Sequence, residues 1–263
     1  MCFRVTLVHI VFPEPKDLYH MIALQLYTVR DALKADFDGT MRQIAAMGYT
    51  HVETAGEFGG SPEHARSIFD QLGITACSAH SPLPLRENQQ RVLETAAALG
   101  VDTLVFPWIA ADNFTTLDGV KRVADMLTEA DAVARANGLH LAYHNHHFEL
   151  IPLPDGSLPL IHLRDLTPSS VLFEVDTYWV QTGGANVIDV LRQLGNRAPM
   201  LHIKDGPTTL DQPMTAVGTG MMDFPAILAA HKADWLIIEM DRVAGEVLPA
   251  VEESLRYLNG LVK

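Results

Sequence analysis

Four histidines, His140, His144, His146 and His147, fall within the eight residues "HLAYHNHH". An even scatter of the chain's 12 histidines would put about 0.4 in such a window. Glu149 follows after Phe148, and three later apolar runs end in titratable groups: "LFEVDTYWV" in Asp176, "MLHIKDG" in His202, Lys204 and Asp205, and "LIIEMDR" in Glu239. Taken singly, each of these acids would more often cap a helix or pair with a neighbouring base. Gathered at one point, Glu149, Asp176 and Glu239 would repel one another and take up protons. A divalent cation removes that conflict, and three carboxylates with the His202 imidazole make a hard donor set without thiolate. Such a set suits one Mn²⁺ ion first, with Mg²⁺, Co²⁺ or Zn²⁺ compatible, and leaves positions open for substrate oxygens. A structural zinc site would be closed and usually rich in cysteine.

The elements that would bring these residues together can be read from the alternation of short apolar runs with helical periodicity. Strands are expected at 22–26, 51–54, 75–79, 103–106, 140–144, 171–175, 200–203 and 236–240. A helix is expected over 117–137, where Val120, Val123, Ala124, Leu127, Ala130 and Ala134 recur at three- and four-residue spacing. Four helices share one stop, Gly48, Gly73, Gly100 or Gly138, each supplying the left-handed turn that leads into the next strand. Eight strands with crossovers long enough for helices predict a single (β/α)8 TIM barrel of the α/β class, with a parallel eight-stranded sheet. No Gly-x-Gly-x-x-Gly follows the first strand, which disfavours a dinucleotide fold. In a barrel the chemistry sits at the carboxyl ends of the strands, where Glu149, Asp176, His202 and Glu239 fall in succession. Alternation along the fifth strand points Ala142, His144 and His146 inward, and leaves His140 at the opposite end as a structural residue. His147 reads as a solvated loop residue.

The chain has 263 residues, 48% hydrophobic and 19% charged, with 19 Lys+Arg against 32 Asp+Glu for a formal charge of −13. This acid excess argues against a nucleic-acid partner, since neutralising phosphates needs a basic surface. Two cysteines, Cys2 and Cys77, provide neither a disulfide framework nor a metal-binding pair. A reducing, cytoplasmic setting is expected, and no apolar run is long enough for a membrane span. Val5–Phe12 has a signal-like look but no small-residue cleavage site before Pro13 and Pro15. Residues 1–20 read as an N-terminal extension, with the barrel domain over 21–263.

The segments "ALQLYTVRD", "YHNHHFEL", "EVDTYWVQTGG", "LHIKDG", "GTGMMDFPAIL" and "IIEMD" resemble the xylose isomerase-like TIM-barrel superfamily, in particular its sugar phosphate isomerase/epimerase group, over residues 21–263. The resemblance implies a Glu, Asp, His, Glu metal site, carried here by Glu149, Asp176, His202 and Glu239. One position departs from the pattern. Better-studied epimerases carry the first glutamate at the tip of the fifth strand, where this chain has His144 or Asn145. Either Glu149 loops back to the metal, or His144 takes its place.

A hard cation beside carboxylates suits proton transfer next to a carbonyl through an enediolate, which predicts a sugar isomerase or epimerase. Glu149 and Glu239 are the candidate base and acid. His144, His146 and Lys204 would orient hydroxyls or the oxyanion, although Lys204 could equally be ion-paired with Asp205 or Asp176. Trp179 and Trp108 would each stack on a sugar face or plug the barrel rim. The two glycines of Ala216–Gly220 suggest a loop over the site. Without an arginine cluster at the strand ends, an unphosphorylated sugar or polyol is the expected partner, and pairing of barrels through outer helices into a homodimer is compatible with the sequence. Dehydration of an inosose or keto-sugar on the same site, or sugar binding without turnover, are the competing functions. A DNA endonuclease is disfavoured by the charge.

Overall fold

In the computed structural model, residues 21–262 are described; the extension expected over 1–20 lies outside the described residues. Eight parallel strands close into a barrel in chain order: β1 (Met21–Gln25), β2 (His51–Thr54), β3 (Thr75–His80), β4 (Thr103–Phe106), β5 (His140–His144), β6 (Leu172–Asp176), β7 (Met200–Ile203) and β8 (Trp235–Ile238). The ring is completed by β8 pairing with β1, Ala23 opposite Ile237. Every expected strand is present: β2, β4, β5 and β7 match at both ends, and the other four are displaced by one or two residues at one or both ends.

The surrounding layer comprises α1 (Arg30–Ala35), α2 (Phe37–Ala46), α3 (Pro62–Leu72), α4 (Gln89–Leu99), α5 (Leu117–Ala136), α6 (Pro159–Leu166), α7 (Thr177–Thr182), α8 (Val187–Leu194), α9 (Phe224–Ala230) and α10 (Val247–Leu261). The Thr116 hydroxyl caps α5 by accepting from the Gly119 amide at 3.1 Å. At the ends of α3 and α4, Gly73 and Gly100 take φ of 68° and 72°. A β-carbon resists this left-handed conformation, so glycine is the residue that stops the helix and lets the strand begin.

Period-two alternation divides the molecule into two apolar regions. Outward strand residues such as Leu141, Tyr143, Phe173, Val175, Leu201 and Ile203 join the helices in one large core. Ala23, Val105, Ala142, Met200 and Ile237 fill the barrel interior as a second, small cluster. Above that plug the inward positions turn polar: Gln25, Glu53, Ser78, His144, Glu174, Asp176, His202, Lys204 and Glu239 are all buried. The apolar layer therefore sets the floor on which the polar side chains stand. Among the described residues no helix is long and apolar enough to cross a membrane.

Candidate active site

Register and alternation bring the polar side chains to one point. His144 is opposite Glu174 across β5 and β6, and Asp176 is opposite His202 across β6 and β7. Ligand atoms of His144, Asp176, His202 and Glu239 all lie within 4.8 Å of one another, and so do those of His80, His144, Glu174 and His202. Three of the four residues expected at the metal, Asp176, His202 and Glu239, are thus gathered together. The fourth member of that group is His144, the alternative to Glu149. Glu149 stands elsewhere, in the turn after β5, where its carboxyl accepts from the Tyr143 hydroxyl and from the His146 amide at 2.9 Å.

Each of the two imidazoles in the cluster has its ring nitrogens committed to different sides. His144 Nδ1 is 3.0 Å from Glu174 Oε2, while Nε2 faces Asp176 Oδ2 at 4.0 Å. His202 Nδ1 is 2.7 Å from Glu239 Oε2, and Nε2 is 2.8 Å from Glu53 Oε2 and 2.9 Å from Glu174 Oε2. His80 Nε2 contacts the same two acids at 3.1 and 2.9 Å. Lys204 Nζ is surrounded by Asp176 at 3.0 Å, Glu239 at 2.8 Å and Asp241 at 2.6 Å. Of the two partners foreseen for Lys204, Asp176 is the one found.

The carboxylates and cations set one another's protonation. Burial opposes charge on His202, but Glu174 and Glu239 outweigh it and hold the ring well above the usual histidine range. Burial likewise opposes charge on His80, where Glu53 and Glu174 raise it to about 10. Glu239 is held well below the usual carboxylate range by Lys204 and His202 against the effect of burial. Burial lifts Asp176 to about 6 against the pull of Lys204, and lifts Glu149 to about 8. His144 and His146 move the other way: burial and neighbouring positive charges keep both neutral, His146 at about 3.

The donor atoms fit a cation. Five carboxylates (Glu53, Glu174, Asp176, Glu239 and Asp241) meet three positive groups (His80, His202 and Lys204), a formal excess of two negative charges. Glu174 Oε1 is buried and accepts no hydrogen bond among the described residues, whereas Asp176 Oδ2 is held by the Lys204 ammonium at 3.0 Å. Buried acceptors of this kind are costly unless something else satisfies them.

A cavity of about 610 Å³ opens above the cluster. His80, His144, His146, Glu239 and Asp241 supply its polar side, and Tyr27, Phe106, Pro107 and Trp108 its apolar wall. No lysine or arginine lines it among the described residues. Trp108 is 57% exposed at the cavity rim. Trp179, 9% exposed, does not line the cavity; it backs the cluster, with Lys204 Nζ 5.4 Å above its ring. A second cavity of about 660 Å³ lies at the opposite mouth, lined by strand-initial residues such as Met21, His51, Thr75 and Trp235, far from these acids.

The loop around Ala216–Gly220 is pinned. The buried Asp205 carboxylate accepts from the amides of Gly206 (2.8 Å), Met222 (3.1 Å), Gly218 (2.9 Å) and Gly220 (2.9 Å), and no residue of 216–220 lines the cavity. His140 is exposed at the far end of β5 and His147 half-buried beside Trp179, 5.6 Å between rings.

Gln25, Glu53, Ser78, His80, Glu174 and Asp241 belong to the site without having been singled out in the sequence. The signal for two of them was present: Glu174 precedes Asp176, and Asp241 follows Glu239, by two residues, the spacing that puts both side chains on the inner face.

A closed barrel with imidazoles and carboxylates converging at its strand ends defines a (β/α)8 protein with a candidate metal centre. The chain belongs to the xylose isomerase-like TIM-barrel family, whose profile matches residues 41–261. Among solved structures, a sugar phosphate isomerase/epimerase from Parabacteroides distasonis aligns over 98% of this chain and 100% of its own, at 23% identity and a TM-score of 0.77. A probable 3-DHS dehydratase, AsbF from Bacillus anthracis, aligns over 90% and 98% at 10% identity and TM-score 0.72. The IolI protein with a bound zinc atom aligns over 92% and 98% at 17% identity and TM-score 0.68. No curated protein sequence matches the chain.

Proposed function

We propose that the protein is a metal-dependent isomerase or epimerase acting on a small, unphosphorylated keto-sugar or keto-polyol. The observation that carries this reading is the convergence of His144, Asp176, His202 and Glu239 beneath a cavity into which Glu239 projects. His144 takes the place foreseen for Glu149 in the ligand set. Two imidazoles beside two carboxylates shift the preference from Mg²⁺ toward Mn²⁺, Co²⁺ and Zn²⁺. When bound, such a cation acts as a Lewis acid that acidifies the carbon-bound proton beside a carbonyl.

Glu239 is ionised by its contacts with Lys204 and His202 and reaches the cavity, so it is the base that removes that proton. Lys204, held charged by three carboxylates, supplies positive potential where the enediolate oxygen develops. His80, charged and lining the cavity from β3, is the acid that returns a proton at another carbon or face. Glu149, neutral below about pH 8, fixes the His146 backbone instead of contacting substrate. The Trp108 and Phe106 wall receives the apolar face of the sugar. A lining with no lysine or arginine among the described residues, and with Glu239 and Asp241 on its polar side, favours an uncharged substrate over a phosphorylated one.

The test is exchange of carbon-bound protons in heavy water, followed by proton NMR, for manganese-loaded protein against unphosphorylated ketoses and inososes. Exchange with an isomeric product is expected, and its loss in folded Glu239→Gln. Exchange retained in folded Glu239→Gln refutes the assigned base. Loss of water from the substrate would make the enzyme a dehydratase, and binding without exchange would make it a sugar-binding barrel.

A further inference from the structure

A cation held by His144 and His202 needs each ring to present one particular nitrogen, and that choice is made by whatever the other nitrogen donates to. In this chain both choices converge on two buried acids, Glu174 and Glu53. Glu174 Oε2 lies 3.0 Å from His144 Nδ1 and 2.9 Å from both His202 Nε2 and His80 Nε2. Glu53 Oε2 lies 2.8 Å from His202 Nε2, and the Glu53 carboxylate is itself held by Gln25 Nε2 at 2.5 Å and Ser78 Oγ at 2.6 Å. Both acids are completely buried below the cavity and neither lines it, so neither can touch substrate.

We propose that Glu174 and Glu53 are positioning residues that fix the tautomers of the two ligand imidazoles, so that His144 offers Nε2 and His202 offers Nδ1 to the cation. The opposite faces of the rings agree with this assignment. His144 Nε2 faces Asp176 Oδ2 at 4.0 Å, an oxygen that also meets the Lys204 ammonium at 3.0 Å, and His202 Nδ1 lies 2.7 Å from Glu239 Oε2. With Nδ1–H of His144 and Nε2–H of His202 donated to carboxylates, the remaining lone pairs converge on the ligands Asp176 and Glu239. The register explains why Glu174 can serve both rings: it is paired with His144 across the β5–β6 ladder and stands two residues before Asp176, which pairs with His202. A glutamine at 174 would present at most one accepting oxygen, and its amide would face N–H donors.

The inference rests on the metal reading of the site, and the experiment separates the two. Zinc-loaded wild-type protein, which is diamagnetic, is labelled with ¹⁵N-histidine, and the imidazole nitrogens are assigned by long-range ¹H–¹⁵N correlation. Protons on Nδ1 of His144 and Nε2 of His202 are expected, with the other nitrogen of each ring shifted by zinc. Zinc affinity is then measured by chelator competition for wild type and Glu174→Gln, with folding checked by thermal melting; an affinity weaker by about 10- to 100-fold is expected. Either ring protonated on the other nitrogen, or Glu174→Gln binding zinc within twofold of wild type, overturns the proposal while leaving the metal site standing. Failure of wild type to take up zinc overturns the metal reading and this inference with it. If Glu174→Gln does not fold, the wild-type tautomers decide the matter.

Discussion

Replacing Lys204 with methionine keeps the length of the side chain and removes its charge. Lys204 is completely buried and its ammonium lies within 3.0 Å of Asp176, Glu239 and Asp241. Removing one partner of a buried ion pair costs about 3–5 kcal/mol, because the other charge is left without compensation. At about 2–4 °C per kcal/mol for a chain of this size, metal-free Lys204→Met should melt roughly 6–20 °C below wild type at pH 7.5. Glu239, whose folded carboxyl is held well below its unfolded value of 4.5, loses its contribution only in stronger acid, so the change between pH 7.5 and 5 is set by Asp176. Asp176, already raised to about 6, can protonate in mild acid once Lys204 is gone. The deficit of Lys204→Met should therefore shrink as pH falls from 7.5 to 5. Urea unfolding of both proteins in chelator at pH 5, 6 and 7.5 measures it, and added Mn²⁺ should restore part of the loss at pH 7.5 by binding only the folded state. A deficit below about 1 kcal/mol at pH 7.5, or one that stays constant down to pH 5, would mean that Lys204 acts through packing and that the charge argument is wrong.

The metal-free wild type should lose stability on the alkaline side: Glu149 and His80 are both raised, so each contributes fully below its unfolded pKa and loses that contribution as pH climbs through about 8 and about 10 respectively. Urea midpoints that do not fall between pH 6.5 and 9.5 would contradict this. Uptake of Mn²⁺ at pH 7.5 should release about one proton, since His202 is charged in the metal-free protein and must be neutral to ligate; calorimetry in two buffers of different ionisation enthalpy counts it, and zero release would remove His202 from the ligand set. Trp108→Ala, at an exposed rim position, should raise KM with kcat and melting temperature nearly unchanged, and an unchanged KM would take the stacking role from this residue.

The barrel was legible because strand and helix periods alternate over the whole chain, and because Gly48, Gly73, Gly100 and Gly138 mark helix ends. Asp176, His202 and Glu239 were legible because each ends an apolar run. The inward direction of His144 follows from its alternation with Leu141 and Tyr143, whereas spacing alone sets no preference between it and Glu149. Glu149 lies beyond the strand, where turn geometry directs its carboxyl to Tyr143 and His146. Glu53 and His80 carry no such signal, because they come from β2 and β3 in the first half of the chain and only barrel closure brings them to His202. Trp179, for which the sequence allows either stacking on a sugar face or plugging the barrel rim, is turned by α7 away from the cavity and behind Lys204.

The Asp205 carboxylate and the four amides around it have a bearing on substrate choice. In many (β/α)8 enzymes the loops after the seventh and eighth strands form a cradle of backbone N–H groups for a substrate phosphate. Here the segment after β7 already carries its own anion: the amides of Gly206, Gly218, Gly220 and Met222 are spent on an acid from the same chain. The protein has built a phosphate-style nest and sealed it with a side chain, so those four donors serve to shape the loop and have nothing left to offer a phosphorylated sugar.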